Sequence, residues 1–565
     1  RRKFEQQGTH EVTINDIYRA FCEAVGVPDN KIPSLIELEC EYEQRLCYPC
    51  PQVSEICRHA EDHGLAVIYT SDMYLPAETI KKLLADNGYK VSKVLVSSEH
   101  GQSKHTGELY NLLTDITGCQ PAEITHIGDN FHADYTQALQ KGLKAWHWRG
   151  NGAAKTFIQQ SKVHTADTAD TLSSLYTGIA AQRQTGNGPG DIWDKIGWEI
   201  VGPLYYSFIR WILNTARKDG IQKLFLLSRD GYYLQKAIEI IDPEGREFPQ
   251  MHYMYASRRL LNLPAVHQLT KQQLDFLLTP NPGLTVANFF ERLHLDPAKY
   301  AEEIHRAGFA SANRVITTSH GIFENPDVQQ QMHNLFRTIE PEILQIAKVE
   351  RDLLYKYFDE IGFDGQASAV VDIGWQASSL LALQNLLRIR GHEPDLQGYY
   401  FATWNFAEKS RQSGCSVKSF YMHMGEPGYR REILGACPEL IEFFFGAPHP
   451  TIIGLQQGRN GIEPLYDTPE LSAAQEKNLE KVREAALRFI AEVNRCCDSM
   501  NCSGTGLTYL DKVLHRLLCN PSKIETEALG NFMHRDGFGN GSPARPLIHH
   551  SRRFPFKSQH KLRED

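Results

Sequence analysis

Two aspartates in the first third of the chain have the spacing of a metal site. The segment AEITHIGDNFHADYTQAL runs from Ala122 to Leu139, and its apolar part stops at Gly128 and Asp129, five residues before Asp134. This pattern predicts a strand that ends at Asp129 and a helix that carries Asp134 near its start. Carboxylates in those two places can share one hard cation, because oxygen ligands suit Mg²⁺.

Two further polar elements precede this segment. The apolar run LAVIYT is a predicted strand that ends in Ser71-Asp72-Met73, and the predicted strand KVLV is followed by a loop that contains Lys104. A seryl hydroxyl can donate to a phosphoryl oxygen, and an ammonium group can neutralise phosphate charge. All of these groups follow the carboxyl ends of strands, which is where parallel α/β sheets bind their ligands.

The segments SDMYLP, SKHTG and IGDNFHADYTQA resemble motifs II, III and IV of the haloacid dehalogenase (HAD) superfamily, whose members are mostly phosphatases. The resemblance implies a Rossmann-like core, a Mg²⁺ cofactor and catalytic roles for Ser71, Lys104 and Asp129. It implies that Asp129 binds the metal directly and that Asp134 supports it or binds it through water. The backbone N–H groups of Asp72 and Met73 would complete a phosphate cradle.

One part of the HAD pattern has no counterpart in the sequence. The superfamily begins with an apolar strand that ends in Asp-x-Asp, whose first Asp attacks phosphorus, and no such strand precedes Ser71. Residues 1–60 instead predict helices, which the resemblance assigns to a small cap over the site. We therefore expect the chain to start after motif I, to lack the nucleophile and to show little or no phosphatase activity as it stands.

The later segments LFLLSRDGYYL, YMYASRR and VVDIGWQAS extend the resemblance to about residues 10–455. With the HAD motifs, they are similar to two-part bacterial proteins that are found with, or fused to, glycosyltransferases for surface polysaccharides. The resemblance implies a cytoplasmic protein that acts on a phosphorylated sugar or glycan intermediate and has a glycosyltransferase as a candidate partner. The alternative is a non-catalytic HAD-like scaffold that binds such a glycosyltransferase or its product.

A second set of polar residues follows apolar strands in this later region. Arg229 and Asp230 follow LFLLS, Arg258 follows YMYAS, and Asp372 ends VVD. If these strands are neighbours, two carboxylates and several arginines converge at one sheet edge, where the next helix offers free N–H groups. We therefore predict that Arg229, Asp230, Arg258 and Asp372 bind a sugar phosphate or nucleotide-sugar.

Two interpretations of this second set stay open. In one, the region is a glycosyl or phosphoryl transferase that uses Asp230 and Asp372, with Trp375 and Tyr232 stacking on a sugar or base. In the other, Arg229 and Asp230 form an internal salt bridge at a turn. Nearby candidates without an assigned role are His423, Glu442 and His449.

Length and composition set the outer limits. A chain of 565 residues, 41% hydrophobic and 23% charged, is long enough for two or three domains. The net charge of -8 gives no reason to expect nucleic-acid binding, and the sequence predicts no transmembrane segment. The 12 cysteines show no repeating framework, which favours reduced thiols. Cys47 and Cys50 have the spacing of half a zinc site but lack a second pair.

The alternation of strands and helices predicts an α/β protein. Residues 1–160 are expected to form the HAD-like core with its helical cap, residues 185–455 a second α/β domain, and residues 456–565 a helical C-terminal region. A linker is predicted at 181–191 and a poorly ordered tail at 551–565.

Overall fold

The computed structural model describes residues 11–148, 156–161, 170–182, 191–459, 461–497, 502–534 and 545–547. They belong to two compact units, unit 1 (Arg1–Thr156 with Ala180–Gly190) and unit 2 (Phe157–Ile179 with Asp191–Asp565). Most of the predicted linker and all of the predicted tail lie outside the described residues. Each unit contains parallel strands and helices, so the prediction of an α/β protein is confirmed at that level.

Unit 1 has four short strands, β1 Ile68–Ser71, β2 Lys93–Val96, β3 Thr125–Gly128 and β4 Lys144–His147. β1 pairs with β2 and β3 pairs with β4, both in parallel. Among the described residues, the two pairs are not hydrogen-bonded to each other. The described strands of unit 1 therefore form two separate pairs, whereas the Rossmann-like core that the resemblance implies has a single sheet.

Helices lie before and between these strands. The residues ahead of β1 are helical from residue 14 onward, as predicted, and Thr13 and Asp16 form a capping box at the first helix. A π-helix, Phe131–Thr136, directly follows the turn after β3. The α-helices of unit 1 are α1 Ile14–Val25, α2 Ile32–Leu46, α3 Pro51–Asp62, α4 Ala77–Asp86, α5 Ser97–His100, α6 Glu108–Thr117 and α7 Gln137–Gln140.

Unit 2 is built on a five-stranded parallel sheet in the order β6-β5-β7-β8-β9. β6, which follows β5 in the chain, pairs with one side of β5, and β7, the next strand in the chain, pairs with its other side. The carboxyl ends of β5 and β7 therefore flank a topological switch point, where open α/β sheets bind ligands. The strands are β5 Lys223–Leu227, β6 Gln250–Met254, β7 Ser368–Trp375, β8 Leu396–Thr403 and β9 Ser416–Met422.

Unit 2 also contains two antiparallel pairs, β10 Ile452–Gln457 with β11 Ile462–Tyr466 and β12 Met533–His534 with β13 Arg545–Pro546. Its α-helices are α8 Phe157–Gln160, α9 Thr171–Gln182 (which continues into unit 1), α10 Ile192–Ile196, α11 Gly202–Asp219, α12 Gly231–Ile241, α13 Arg258–Asn262, α14 Lys271–Leu277, α15 Val286–Glu291, α16 Ala301–Arg306, α17 Pro326–Thr338, α18 Glu340–Glu360, α19 Ser378–Ile389, α20 Glu408–Gln412, α21 Tyr429–Ala436, α22 Pro438–Phe445, α23 Ala473–Cys497, α24 Leu507–Leu514 and α25 Lys523–Leu529.

The region predicted to be helical at 456–565 contains α23, which packs against α10, α11 and α12. Glycines permit this close approach. A Cβ on Gly197 would lie 2.1 Å from the carbonyl oxygen of Val482, and one on Gly202 would lie 2.7 Å from Phe489 Cβ. These helices belong to the same compact unit as the five-stranded sheet.

Candidate functional site

The carboxyl end of β1 is tied to the loop that carries Lys104. The carboxylate of Asp72 accepts hydrogen bonds from the backbone N–H groups of Lys104, at 2.8 Å, and His105, at 3.0 Å. Ser71, the last residue of β1, has no hydrogen-bond partner for its hydroxyl within the described part of unit 1. Asp72 therefore holds the lysine loop at the carboxyl end of β1, where the neighbouring Ser71 hydroxyl is free to bind a ligand. The side chain of Met73 packs against the apolar cluster that contains Val94.

Lys104 in turn reaches the residues that follow β3. Its Nζ lies 2.7 Å from Oδ1 of Asp134, and Nε2 of His126 lies 2.9 Å from the same oxygen. The Asp134 side chain is only 4% exposed and that of Lys104 only 13%. Asp134 approaches the end of β3 so closely that a Cβ on Gly128 would lie 2.3 Å from its Cγ. Glycine is needed there because any side chain would displace the ion pair.

The partners of Asp134 determine its charge. Burial alone would raise its pKa, but the hydrogen bonds from His126 and Lys104 and the positive charge of Lys104 outweigh burial and hold the pKa of this carboxyl well below its usual range. Its second oxygen accepts the backbone N–H of Asn130 at 2.9 Å. Asp134 is therefore an ionised group that fixes the position of the Lys104 ammonium.

Asp129 differs from Asp134 in having a free carboxylate. Its side chain is exposed and has no hydrogen-bond or ion-pair partner among the described residues. The backbone carbonyl oxygen of Asp129 lies 2.9 Å from Nε2 of His147. The side chain of Asn130 accepts hydrogen bonds from the N–H groups of His132 and Ala133 at the start of the π-helix. The turn is therefore held through its backbone while the Asp129 carboxylate stays available to a ligand.

These residues fit a Mg²⁺ site in one respect. Mg²⁺ commonly binds one or two carboxylates and completes its shell with water and phosphate oxygens from a ligand. Asp129 can supply such a carboxylate, whereas both oxygens of Asp134 already accept hydrogen bonds. Among the residues that the structure describes, no group of three or more His, Cys, Asp or Glu side chains is arranged to hold a metal ion.

In unit 2, two carboxylates meet at the switch point between β5 and β7. Asp230 follows β5, Asp372 lies in β7, and their side chains are hydrogen-bonded to each other. Burial is the main cause that raises the pKa of Asp230 well above its usual value, and the charge of the adjacent Asp372 adds to it. Burial raises the pKa of Asp372 as well. Both side chains keep some solvent-accessible surface although protein atoms surround them closely. The pair therefore holds one shared proton at pH values where ordinary aspartates are ionised.

The arginines predicted beside this pair have different surroundings. Nη1 of Arg229 donates to Oγ1 of Thr451 at 2.7 Å and lies 3.4 Å from Glu470, so its ion pair is with Glu470 rather than with Asp230. Arg258 is exposed, its guanidinium has no hydrogen-bond partner among the described residues, and its charge opposes the rise in the pKa of Asp372. Arg258 is therefore the cation available to an anionic ligand.

Arg259, which adjoins Arg258 in the sequence, has a structural role. Its guanidinium is buried and binds both carboxylate oxygens of Glu350, at 2.7 and 2.9 Å. It also donates to the carbonyl oxygens of Arg292 and Ile453. With these partners in place, Arg259 has no role in binding a ligand at the sheet edge.

The backbone at this edge is strained. Arg229, Trp375 and Ala377 have positive φ angles of 71°, 73° and 54°. Such conformations cost about 1–3 kcal/mol each for residues other than glycine and cluster at functional sites. Nε1 of Trp375 donates to Oε1 of Glu442 at 2.7 Å, and Glu442 also acts electrostatically on both aspartates of the pair. The Trp375 indole is thus held beside the carboxylates.

The turn at Arg229 is fixed by a short hydrogen-bonded chain. The hydroxyl of Tyr253 accepts the backbone N–H of Arg229 at 3.0 Å and lies 2.7 Å from Nε2 of His449. Nδ1 of His449 lies 2.8 Å from the carbonyl oxygen of Pro450. Burial lowers the pKa of His449, which favours a neutral ring that donates from Nδ1 and accepts from Tyr253.

Comparisons with known proteins add no family to these observations. No protein-family model matches the chain, and no curated protein matches it in sequence. In the described part of the chain, no helix has both the length and the apolar character needed to cross a membrane.

Several residues that complete the two sites were not assigned a role from the sequence. His126 precedes Gly128 by two positions in β3, and this period-2 spacing was the available signal for its contact with Asp134. Glu442 and His449 were candidates without an assigned role. Glu442 holds the Trp375 indole, and His449 contacts the Tyr253 hydroxyl. No sequence signal predicted these contacts, because they join segments that are far apart in the chain.

Proposed function

We propose that the protein is a HAD-type, Mg²⁺-dependent phosphohydrolase whose unit 1 has a Rossmann-like HAD core and binds the phosphate of a phosphorylated sugar or glycan intermediate. The observation that carries the proposal is the Lys104 ammonium, held by buried Asp134. The Ser71 hydroxyl adjoins Asp72, which binds the lysine loop, and the Asp129 carboxylate lies in the turn before Asp134; both groups are free among the described residues. Such a constellation binds a phosphoryl group, neutralises its charge and can place a cation beside it.

The residues of the proposed site have different roles. In the proposal Ser71 and Lys104 bind phosphoryl oxygens, and Asp129 holds Mg²⁺, which would neutralise charge on the transferring group. Asp72 and Asp134 accept hydrogen bonds that hold the loops, so neither is available to attack phosphorus. Phosphate binding is therefore the step of the proposed reaction that these residues support, and it is the step to test first.

Replacing Lys104 with Met should weaken the binding of inorganic phosphate about thirtyfold, because one charge-assisted hydrogen bond is lost. Replacing Ser71 with Ala should weaken it about threefold without changing stability, because the Ser71 hydroxyl has no protein partner. The matched control is Lys144→Met, which removes an exposed ammonium at the amino end of β4. Titration followed by ³¹P NMR measures all four proteins.

Equal phosphate affinity in the Lys104 and Lys144 variants would contradict the proposal. Hydrolysis is tested on a panel of phosphate esters with Mg²⁺, where Asp129→Asn should remove any turnover that the parent chain shows. Phosphate binding without turnover, even when an Asp-x-Asp strand is supplied ahead of residue 11, would instead favour a non-catalytic scaffold that binds a glycosyltransferase or its product. We place the hydrolase in the cytoplasm, as part of surface-polysaccharide biosynthesis.

A second candidate function rests on unit 2. Two carboxyl groups that share a proton can provide one acid and one base, which is what glycosyl or phosphoryl transfer requires. The location of Asp230 and Asp372 at the switch point, with Trp375 beside them and Arg258 nearby, favours a transferase that takes a nucleotide-sugar.

Arg258→Met should weaken the binding of UDP-glucose to unit 2 about tenfold, because Arg258 is the exposed cation at this edge. Arg306→Met removes an exposed arginine whose charge is already paired on the surface, and serves as the control. Saturation-transfer NMR provides the affinities. Binding that depends on Lys104 but not on Arg258 would assign the nucleotide-sugar to unit 1 and contradict the transferase.

A further inference from the structure

An exposed aromatic side chain lies directly beside the proposed phosphate site. Phe131 is 57% exposed, although most phenylalanines of the described chain are buried. It is two residues after Asp129 and begins the π-helix Phe131–Thr136. Short π-helical segments occur frequently at functional sites, because they shift side chains out of the regular helical positions.

Neighbouring rings hold Phe131 in place. The rings of Phe131 and Tyr135 are nearly parallel, 24° apart, with centroids 5.4 Å apart. The imidazole of His147 meets Phe131 edge-on with centroids 5.2 Å apart, and the same imidazole contacts the carbonyl oxygen of Asp129. One imidazole thus links the Phe131 ring to the turn that carries the candidate metal ligand. Phe131 is exposed, but it is not a freely rotating surface side chain.

A pair of exposed imidazoles joins this turn to the lysine loop. The imidazoles of His105 and His132 lie 4.7 Å apart, and both residues are exposed. His105 follows Lys104 in the loop held by Asp72, and His132 follows Phe131. Hydrogen-bonding groups from two loops therefore meet here, one adjoining Lys104 and the other adjoining Phe131 in the sequence.

We propose that Phe131, supported by Tyr135 and His147, is a stacking platform for the sugar ring of a glycosyl phosphate. The C–H face of a pyranose is apolar and packs on an aromatic ring, while its hydroxyls require polar partners such as His105 and His132. This inference rests on the proposed function, because the phosphate on Lys104 and Ser71 determines where the attached sugar lies. It adds a substrate class, a phosphate ester with a cyclic sugar next to the phosphate.

Binding of α-D-glucose 1-phosphate and of inorganic phosphate, measured by calorimetry without Mg²⁺, separates the two parts of the argument. The parent chain should bind the sugar phosphate about tenfold more tightly than phosphate. Phe131→Ser should remove this preference and leave phosphate affinity within about twofold, whereas Phe131→Tyr should keep it. Phe406→Ser, which removes another exposed phenylalanine in unit 2, is the control and should change neither affinity.

Each alternative outcome has a defined meaning. If the parent chain binds neither ligand, the proposed phosphate site is wrong and the platform is wrong with it. If both ligands bind but Phe131→Ser keeps the preference for the sugar phosphate, the phosphate site stands and the platform is overturned. If Phe131→Ser changes only the sedimentation coefficient, this face is a contact between copies of the chain, which also overturns the platform.

Discussion

Replacing Asp134 with Ala is expected to destabilise unit 1 by about 3 kcal/mol, because removal of one partner from a buried ion pair leaves an uncompensated charge. The carboxylate is 4% exposed and accepts from Lys104, His126 and Asn130. Its loss leaves the Lys104 ammonium and the His126 ring without their common partner. Hydrogen exchange in peptides that cover β3 and the following π-helix measures the change in unit 1 directly.

Asp115→Ala is the matched control, because Asp115 is an exposed aspartate on α6 of the same unit. It should change stability by less than about 0.5 kcal/mol. A double-mutant cycle with Asp134→Asn and Lys104→Met isolates the pair, and we expect a coupling free energy of about 1–3 kcal/mol. Additive effects would show that Lys104 and Asp134 do not interact in solution.

The depressed pKa of Asp134 also determines the sign of a pH effect. A carboxyl group whose folded-state pKa is lowered stabilises the fold above its unfolded pKa of about 3.9 and loses this contribution as the pH falls further. Unit 1 of the parent chain should therefore lose stability below about pH 4 more steeply than the Asp134→Ala variant. Parallel pH profiles for the two proteins would contradict the assignment of Asp134 as an ionised, buried partner.

The strand-end residues were predictable from sequence because the alternation of strands and helices fixes where parallel strands end. Ser71 ends β1, and Asp129 follows β3, as the apolar runs indicated. Asp230 and Asp372 likewise meet because β5 and β7 are neighbours in the sheet. Adjacency of strands is the part of a site that an alternating pattern can predict, since ligands bind at the carboxyl edge.

What each side chain does there was not predictable. Asp72 was expected to contribute a backbone N–H to a phosphate cradle, which stays a prediction, and no sequence pattern indicated that its carboxylate binds the backbone of Lys104, 32 residues later. Arg229 was paired with Asp230 in one interpretation, yet its guanidinium bonds to Thr451 and lies near Glu470, more than 200 residues away in sequence. Such contacts depend on tertiary packing and on positive φ angles, which a local sequence pattern does not contain.

Replacing Asp230 with Asn is expected to stabilise unit 2 by about 2–3 kcal/mol at a pH high enough to ionise the pair, and to have little effect below the ordinary aspartate pKa of about 3.9. Asp230 is affected by the charges of Asp372, Arg229 and Glu442, and burial is the main reason that its pKa is raised. Arg258 acts on Asp372, the other member of the pair. A carboxyl with a raised folded-state pKa stabilises the fold at low pH, and this contribution is lost as the pH rises through that pKa. An Asn side chain can donate to Asp372 at every pH.

The parent unit 2 should therefore become less stable as the pH rises above the ordinary aspartate pKa of about 3.9 and through the raised pKa of the pair, and the Asp230→Asn variant should show a flatter profile. Hydrogen exchange in peptides from β5 and β7 measures both, and Asp352→Asn, an exposed change on α18, is the control. Parallel profiles for parent and variant would show that the two carboxyls do not share a proton.

A stabilising Asn would mean that the chain keeps an acid pair at a cost to its own stability. Reacting groups, rather than structural ones, are retained at such a cost, so this result would favour the transferase interpretation of unit 2.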